Sequence, residues 1–493
     1  MKEYLKIQND RKKYHINPFK NTVHRSSLLA PSMAKSDTWI TFVNHFLIKR
    51  NYKSVALKIT AVDKFGKLLD SQTMEVNEPR VYSINLDEMF FSVKVVNYLV
   101  EFYSDKNLFV PFPAVIVSHY GKDFCNVVHS FNRILNDVFE NDNINDVKVA
   151  ESSIDVINNK KFDTFFNLAS GMTKVSGDLN VIYEKNQKKF KKKIKVSIPR
   201  LSFKSFYLSK ILPEYTVGGT IKINQPKPEL FFGRMLAGRV NKKTKAFSSN
   251  HSFYDSSKTK EYFNSSESFR TYPFFNNFLN KIVFYPIMSK SNLNIHIKFK
   301  NKNKILKSKV YKFKTNSKIP LEINVSEIVS ELKLKNITAF SVIAKSINGK
   351  IPTRVNHQLV YGGNEKIKAL DCSINVSLTN DTIFTPSYKK SFVWGAALRN
   401  KNYNSNIGFC FKKNTGNDEK VEVDFYDESG KIKTKKFFLK PSTSEIIDVE
   451  KLFRCNEKNK YLWYVAKSDR ADLNAYSVHK NKLSNNSSGE HNF

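Results

Sequence analysis

A chain of 493 residues is too long for a single hydrophobic core, because cores stop growing near about 250 residues. Hydrophobic residues make up 41% of it and aromatic residues 13%, which excludes a disordered chain. Its 81 Lys and Arg against 45 Asp and Glu give a formal charge of +36, which favours anionic partners. The abundance of Lys, Asn, Ile and Phe also fits an AT-rich coding sequence, so the charge has a compositional explanation beside the functional one.

Four segments of the chain share one pattern. Each runs from an alternating apolar strand through a polar turn to a second strand, a short break and a third strand, at 57–90, 179–212, 295–328 and 421–453. Because successive side chains of a strand point to opposite faces, Ile295, Ile297 and Phe299 are expected to face inward and the residues between them to face water. The repetition predicts four tandem copies of one β unit.

The turns between the first two strands support the hairpin interpretation. Those at 64–67 and 428–431 contain Gly66 and Gly430, which suit a positive φ. The corresponding turn of the second copy has Asn186 in place of a glycine. Hairpins are therefore the consistent prediction.

About six or seven short strands in every 120 or so residues are typical of a β-sandwich. The predicted fold is all-β, a tandem array of four β-sandwich-like domains, immunoglobulin-like or related, although the immunoglobulin Cys and Trp landmarks are absent. The expected boundaries are a basic N-terminal arm at 1–30, repeats at 31–140, 141–258, 259–368 and 369–483, and a polar tail at 484–493.

A histidine recurs near the end of each copy, as His129, His251, His357 and His479. In the first three copies an apolar residue follows two positions later, which places the histidine on a half-buried strand. A structural histidine that bonds a loop carbonyl is the favoured interpretation, and a repeated small-ligand or metal pocket is the alternative. No copy supplies a convincing second and third ligand, so no metal is predicted.

Lysines cluster on the same hairpin in three of the four copies. They are Lys185, Lys188, Lys189, Lys191, Lys192, Lys193 and Lys195 in the second, Lys298, Lys300, Lys302, Lys304, Lys307, Lys309, Lys312 and Lys314 in the third, and Lys431, Lys433, Lys435 and Lys436 in the fourth. Stacked with a regular rotation, such hairpins would form a positive stripe for a polyanion. The alternatives are a solvated face and protection against edge-to-edge aggregation.

The residue types around these lysines bear on what they would bind. Lysine acts as a point charge where arginine supplies a planar fork, so nucleic-acid binding is expected to tolerate any sequence and to depend steeply on salt. Phe190, Tyr311 and Phe313 interleave with the lysines, either to stack on bases or sugars or to be buried in the sandwich.

No catalytic motif occurs in the sequence. A GxSxG, a Gly-rich phosphate loop and an HExxH are all absent, so we predict a protein that is not an enzyme and needs no cofactor. Cys125, Cys372, Cys410 and Cys455 lie far apart, which favours free thiols in a reducing compartment. Without a signal peptide or a long apolar stretch, a cytoplasmic location is the default prediction, with export lacking a cleaved signal as the alternative.

These observations predict a non-enzymatic, multi-domain binding or scaffold protein that contacts an anionic polymer or surface through its lysine-rich hairpins. Nucleic acid and acidic polysaccharide are the candidate partners, and self-association stays open. One alternative is a carbohydrate-recognition or surface-polysaccharide-associated module. Another is a structural subunit of a phage or an appendage.

Overall fold

The computed structural model describes most of the chain. The described residues are 24–106, 114–129, 132–134, 149–152, 156–185, 188–213, 216–226, 235–256, 262–287, 289–300, 305–317, 319–362, 369–380, 390–453 and 461–492.

Repeat 1 is a sandwich of two antiparallel sheets. Its strands are β1 (His24–Pro31), β2 (Asp37–Val43), β3 (Val55–Val62), β4 (Leu68–Glu75), β5 (Val81–Asn85), β6 (Asn97–Ser104), β7 (Ile116–Tyr120), β8 (Cys125–His129) and β9 (Asn132–Arg133). The two sheets have the orders β4-β3-β6-β1-β9 and β5-β2-β7-β8. The hairpin found in the sequence, β3–β4, therefore lies at the edge of the first sheet.

Repeat 2 follows the same topology. Its strands are β10 (Val149–Ser152), β11 (Phe162–Ala169), β12 (Val175–Lys185), β13 (Lys188–Ile198), β14 (Phe203–Tyr207), β15 (Thr220–Asn224), β16 (Leu236–Asn241), β17 (Phe247–His251) and β18 (Phe253–Ser256). The sheet orders are β13-β12-β15-β10-β18 and β14-β11-β16-β17. The long hairpin β12–β13 takes the place of β3–β4.

Repeat 3 keeps this arrangement with four-stranded sheets. Its strands are β19 (Glu267–Pro273), β20 (Leu279–Phe284), β21 (Asn292–Lys300), β22 (Ile305–Lys314), β23 (Leu321–Asn324), β24 (Ala339–Ser346), β25 (Asn356–Gly362) and β26 (Cys372–Ser377). The orders are β19-β24-β21-β22 and β23-β20-β25-β26.

Repeat 4 has the same two sheets again. Its strands are β27 (Ser391–Leu398), β28 (Tyr403–Phe411), β29 (Glu419–Asp427), β30 (Gly430–Leu439), β31 (Glu445–Asp448), β32 (Tyr461–Ser468), β33 (Leu473–Asn481) and β34 (Ser487–His491). The orders are β27-β32-β29-β30 and β31-β28-β33-β34. The prediction of an all-β tandem array of four sandwiches is confirmed.

The core of each sandwich lies between its two sheets. In repeat 3, Ile295, Ile297 and Phe299 are fully buried and pack in one cluster with Ile282 and Leu359 of the opposite sheet. The predicted inward face of β21 is therefore correct. Repeats 1 and 2 make up one compact unit and repeats 3 and 4 a second, with 123–126 and 247–250 grouped in the second.

Short helices interrupt the strands. They are α1 (His45–Arg50), α2 (Leu86–Met89), α3 (Val325–Glu331) and α4 (Val449–Leu452). The last three follow the third strand of the repeated pattern, and the side chains of Asn85, Asn324 and Asp448 accept the backbone N–H three residues later. No helix in the described part of the chain is long and apolar enough to span a membrane.

The alternating pattern alone does not predict these helices, because it is typical of strands. The signal was present, since Asn85 and Asn324 each precede Glu88 and Glu327 by three residues, which is the spacing of a capping box. The N-cap side chain satisfies a backbone donor that the first helical turn cannot.

Two hairpin turns have the predicted glycine conformation, with φ of 78° at Gly66 and 111° at Gly430. At Gly66 a side chain is also excluded by space, because a Cβ atom would collide with the carbonyl oxygen of Arg200. The turn at Asn186 lies outside the described residues.

The predicted domain boundaries need correction at three ends. Strand β1 begins at His24, inside the predicted basic arm 1–30, and belongs to the first sandwich. Strand β26 extends repeat 3 beyond residue 368. Strand β34 lies within the predicted polar tail 484–493. Strand β34 looks like a tail in the sequence because it is polar, yet Ser487, Ser488 and Glu490 are each only 3% exposed. Its backbone pairs with β33, which supplies the hydrogen bonds that a free tail would lack.

Candidate anion-binding surfaces

The hairpin of repeat 2 carries a row of lysines on one face. Strand β13 alternates so that Phe190, Ile194, Val196 and Ile198 point toward the core. The side chains of the residues between them point outward and belong to Lys189, Lys191, Lys193 and Lys195. All four are exposed. Alternation in this antiparallel edge strand therefore places four lysines on one face, while Lys188 and Lys192 fall on the side of Phe190.

Few acids compensate this surface. Across the hairpin, Glu184 pairs with Lys189 at 2.9 Å and Asp178 pairs with Lys193 at 2.8 Å. Among the described residues, no acid forms an ion pair with Lys191 or Lys195. Because the lysine of each pair is exposed to solvent, these two ion pairs are weak.

The other predicted lysines of repeat 2 contact carbonyl oxygens or solvent. Lys185 and Lys192 donate to the backbone carbonyls of Val217 and Lys210, at 2.5 and 3.2 Å. Lys188 is exposed beside the turn. A carbonyl oxygen satisfies a donor without cancelling the charge, so the positive potential of the hairpin remains.

The hairpin of repeat 3 divides its lysines between two faces. Lys298 and Lys300 alternate with buried residues of β21, and Lys312 and Lys314 share that outer face through the cross-strand register. The inner-side positions of β22 hold Lys307 and Lys309. Lys302 and Lys304 lie outside the described residues.

One acid reaches the repeat 3 lysines. Glu331 of α3 binds Lys309 at 2.9 Å, and this hydrogen bond raises the pKa of Lys309. None of Lys298, Lys307 and Lys312 forms an ion pair with a residue that the structure describes. Strand β21 contains no acid, which explains why its hairpin stays uncompensated.

The hairpin of repeat 4 is different because its first strand is acidic. The pairs are Lys431 with Asp424 at 3.4 Å, Lys435 with Glu445 at 2.6 Å and Lys436 with Glu422 at 3.1 Å. Lys433 lies over the ring of Phe453, 5.8 Å from its centre. The lysine cluster of repeat 4 is therefore largely neutralised where it stands.

Asp424 is the most buried member of this network, with its side chain 6% exposed. Burial by itself raises the pKa of Asp424. The hydroxyl of Thr434, which donates at 2.6 Å, and the ammonium groups of Lys431 and Lys467 together lower the pKa by more than burial raises it. The pKa therefore lies below its ordinary value of 3.8.

The aromatic residues interleaved with the lysines belong to the sandwich. Phe313 is 5% exposed and lies in the core cluster of repeat 3, against which Tyr311 also packs. Phe190 packs against the core of repeat 2. These contacts favour burial over the stacking role that the sequence left open.

The four predicted histidines are buried, but they do not occupy equivalent positions. His129 and His251 end the outer strands β8 and β17, whereas His357 and His479 lie in the inner strands β25 and β33. In repeat 4 the residue that ends the outer strand is His491. The distance of a histidine from the end of its repeat does not predict whether it lies in an outer or an inner strand, because that depends on which strand forms the edge of the sheet.

The inner-strand histidines are held by neighbouring polar groups. His357 lies 2.5 Å from the Tyr272 hydroxyl and 3.1 Å from the Val355 carbonyl, while His479 lies 3.1 Å from the Ser405 hydroxyl. Burial lowers the pKa of each to about 3, so both imidazoles are neutral near pH 7. His129 and His251 lie with ring centres 4.4 Å apart, and His251 Nδ1 is 3.1 Å from the Ser252 carbonyl.

The cysteines give no sign of a disulfide among the described residues. Cys125, Cys372 and Cys410 are buried, Cys372 and Cys410 as free thiols, and Cys455 lies outside the described residues. Burial raises the pKa of the Cys410 thiol to about 12, which makes it a poor nucleophile.

Comparisons with known proteins add little to this picture. No protein-family model matches the chain, and no curated protein matches it. Among solved structures, the "tetra-tandem repeat in extending region of large adhesion protein" is similar over 95% of this chain and 99% of that one, with 9% identity and a TM-score of 0.10. "The M60 catalytic domain with the CBM51-1 and CBM51-2 domains from Clostridium perfringens ZmpB" is similar over 91% of this chain and 54% of that one, with 8% identity and a TM-score of 0.13. At such TM-scores neither likeness bears on function.

Proposed function

We propose that this chain is a non-enzymatic binding or scaffold protein that holds an anionic polymer against the lysine-rich hairpins of repeats 2 and 3. The observation that carries the proposal is the outward row of Lys189, Lys191, Lys193 and Lys195 on β13, of which two have acidic partners among the described residues. A row of this kind along an edge strand suits a linear ligand.

The geometry of a strand sets the spacing of these charges. Side chains on one face recur every ~7 Å, so the four ammonium groups span roughly 20 Å of strand. Each contact is weak because it is exposed to water and salt. Several hairpins on one chain raise the effective concentration for one another, so the polymer binds more tightly than any one hairpin would bind it.

The chemistry of lysine determines the kind of recognition. An ammonium group has no preferred plane, so it binds sulfate, phosphate or carboxylate without reading a sequence. Binding releases the counterions of the polymer, and the affinity should therefore fall steeply as salt rises.

The test is to titrate the full chain with a labelled single-stranded oligonucleotide and with heparin, each over a range of salt concentrations. The first variant replaces the repeat 2 row: Lys189→Gln, Lys191→Gln, Lys193→Gln and Lys195→Gln. The matched control makes the same change of charge in repeat 4: Lys431→Gln, Lys433→Gln, Lys435→Gln and Lys436→Gln.

We expect the slope of log affinity against log salt for the oligonucleotide to fall by about 0.7 for each contacting lysine removed from repeat 2. The control should change the slope little, because three of its four lysines already bind acids of the same chain. A flat salt dependence of the unmodified protein, or equal losses in the two variants, contradicts the proposal.

A further inference from the structure

Repeat 3 contains a pocket at one end of its sandwich, where three separate segments meet. Its volume is about 580 Å³, and one lysine comes from each segment. Lys290 precedes β21, Lys314 is the last residue of β22, and Lys350 follows the turn after β24. Loops at the end of a sandwich are where such folds commonly place binding sites.

The backbone that carries these lysines is cross-linked by hydrogen bonds. The Thr315 hydroxyl donates to the Ser289 carbonyl at 2.6 Å and accepts the Ser291 N–H at 2.7 Å. The Ser291 and Ser346 hydroxyls lie 3.1 Å apart, and the Tyr262 hydroxyl donates to the Lys290 carbonyl at 2.9 Å. The three segments are therefore held together before any ligand binds, which reduces the entropy cost of binding.

The charge in this pocket is uncompensated. Lys290, Lys314 and Lys350 are all exposed, and none forms an ion pair with a described residue. The described residues that line the pocket include no carboxylate. Three cations without a local counterion make a strong attraction for an anionic group.

The remaining lining is polar and directional. Asn292, Asn316 and Asn348 contribute amides, which both donate and accept hydrogen bonds, and Ser291 and Ser346 contribute hydroxyls. These groups match the hydroxyls of a sugar as well as the oxygens of an acid.

We infer that this pocket binds one acidic sugar unit, a saccharide bearing a sulfate, phosphate or carboxylate group. The lysines would hold the acid and the asparagine amides the sugar hydroxyls. The inference goes beyond the proposed function, which concerns the exposed rows of the hairpins and asks only for negative charge.

Two other classes of ligand fit this pocket less well. Its described lining contains no Leu, Ile, Val, Phe or Trp, so it offers no apolar side chain to insert among lipid chains. Tyr262 is the one aromatic side chain among the described lining residues, whereas nucleic-acid sites stack successive bases on several rings.

The experiment measures binding of a heparin-derived tetrasaccharide to the full chain by calorimetry at physiological ionic strength. Inorganic sulfate and a short oligothymidylate are titrated separately. The variant combines Lys290→Gln, Lys314→Gln and Lys350→Gln. The matched control combines Lys53→Gln, Lys67→Gln and Lys94→Gln, three exposed lysines of repeat 1, and so has the same net charge.

We expect the pocket variant to bind the tetrasaccharide about tenfold more weakly and the control to bind it within about twofold of the unmodified protein. A second variant, Asn348→Asp, places a carboxylate in the pocket and should weaken binding about fivefold without removing a lysine. Thermal unfolding of each variant checks that the fold is retained.

Equal weakening in the pocket variant and the control would overturn the inference, because net charge alone would then explain binding. So would a tetrasaccharide that binds no more tightly than inorganic sulfate, or an oligothymidylate whose affinity depends on the pocket more than that of the sugar. The repeat 2 row, Lys189 to Lys195, is intact in all these variants, so loss of the proposed polymer binding is a separate result.

Discussion

The hairpins of repeats 2 and 4 occupy the same place in the same topology, yet only one presents free charge. In repeat 2 the outward lysines of β13 face a strand with two acids, Asp178 and Glu184. In repeat 4 the lysines of β30 face β29, where Glu422 and Asp424 bind two of them, and Glu445 of β31 binds a third.

The difference teaches that the number of lysines in a segment does not determine its potential. The potential depends on the acids of the partner strand and on the cross-strand register, because directly opposite side chains lie within about 5.5 Å of each other. Three lysines of repeat 4 pair with acids of their own sandwich. Lys191 and Lys195 of repeat 2 and Lys298 of repeat 3 have no acidic partner among the described residues.

Giving repeat 2 acids like those of repeat 4 should remove the difference in charge between the two hairpins. Asn180 and Ile182 lie opposite Lys193 and Lys191 on the outer face, so Asn180→Glu with Ile182→Glu should create compensating pairs without touching a lysine. We expect heparin affinity at low salt to fall about thirtyfold, if each neutralised contact is worth about 1 kcal/mol. Anisotropy titration of the full chain measures it.

The control for that exchange adds the same charge elsewhere. Ser71→Glu with Thr73→Glu places two acids on β4, whose residues are exposed. Heparin affinity should change by less than about threefold. If both variants lose affinity to the same extent, the outer face of repeat 2 is not the contact surface.

A second prediction concerns the stability of repeat 4. Asp424→Asn removes a buried charge that accepts the Thr434 hydroxyl and lies near Lys431. The opening free energy of the β29–β30 hairpin should fall by about 1.5 kcal/mol at neutral pH, measured by hydrogen exchange on peptides from these strands. Thr434→Val, which removes the hydroxyl alone, should cost about 1 kcal/mol.

The pH dependence of this effect follows from the lowered pKa of Asp424. Because the folded pKa lies below 3.8, the carboxylate stabilises the fold fully above that pH, and the contribution is lost as the pH falls through the folded value. The difference between the parent chain and Asp424→Asn should therefore stay constant down to about pH 4 and shrink below it. A difference already lost near pH 6 would contradict this assignment.

Much of the architecture follows from alternation in the sequence. The pattern of β21 and β29 sets buried Ile295 or Val421 against polar neighbours, and hydrophobic burial fixes which face turns inward. Edge strands such as β34 were not predictable in this way. The buried residues of this strand, Ser487 and Glu490 among them, are polar and carry no hydrophobic signal, although its backbone pairs with β33.

The candidate surfaces divide along the same line. The lysines of β13 were predictable, and so was the placement of four of them on one face, because both depend on sequence within one strand. The pairing of hairpin lysines with acids was predictable only in part. The sequence shows the acids of β29 and the lack of acids in β21, but Lys435 pairs with an acid of β31, a separate strand. Convergence of Lys290 and Lys350 depends on loops that only the folded sandwich brings together.

A third prediction sharpens the comparison from the side of repeat 4. Glu422→Gln with Glu445→Gln should release Lys436 and Lys435 and raise heparin affinity about fivefold at low salt. Asp70→Asn with Glu75→Gln, on exposed β4, changes the net charge equally and should raise it by less than about twofold. An equal gain of heparin affinity in the two double variants would contradict the hypothesis that the acids of repeat 4 prevent its lysines from binding heparin.

The smallest effect expected is on the response of each hairpin to salt. Like charges about 7 Å apart on β13 repel by about 0.6 kcal/mol per neighbouring pair in water, and salt screens this repulsion more than it weakens the two ion pairs there. In repeat 4 salt screens attraction instead. Raising NaCl should therefore slow amide exchange in β13 and speed it in β30, each by about twofold, with sucrose as the uncharged control. Lys436 pairs with Glu422, whereas Lys191 has no acidic partner among the described residues. If salt changed amide exchange in the same direction in both strands, this difference in ion pairing would not control their response to salt.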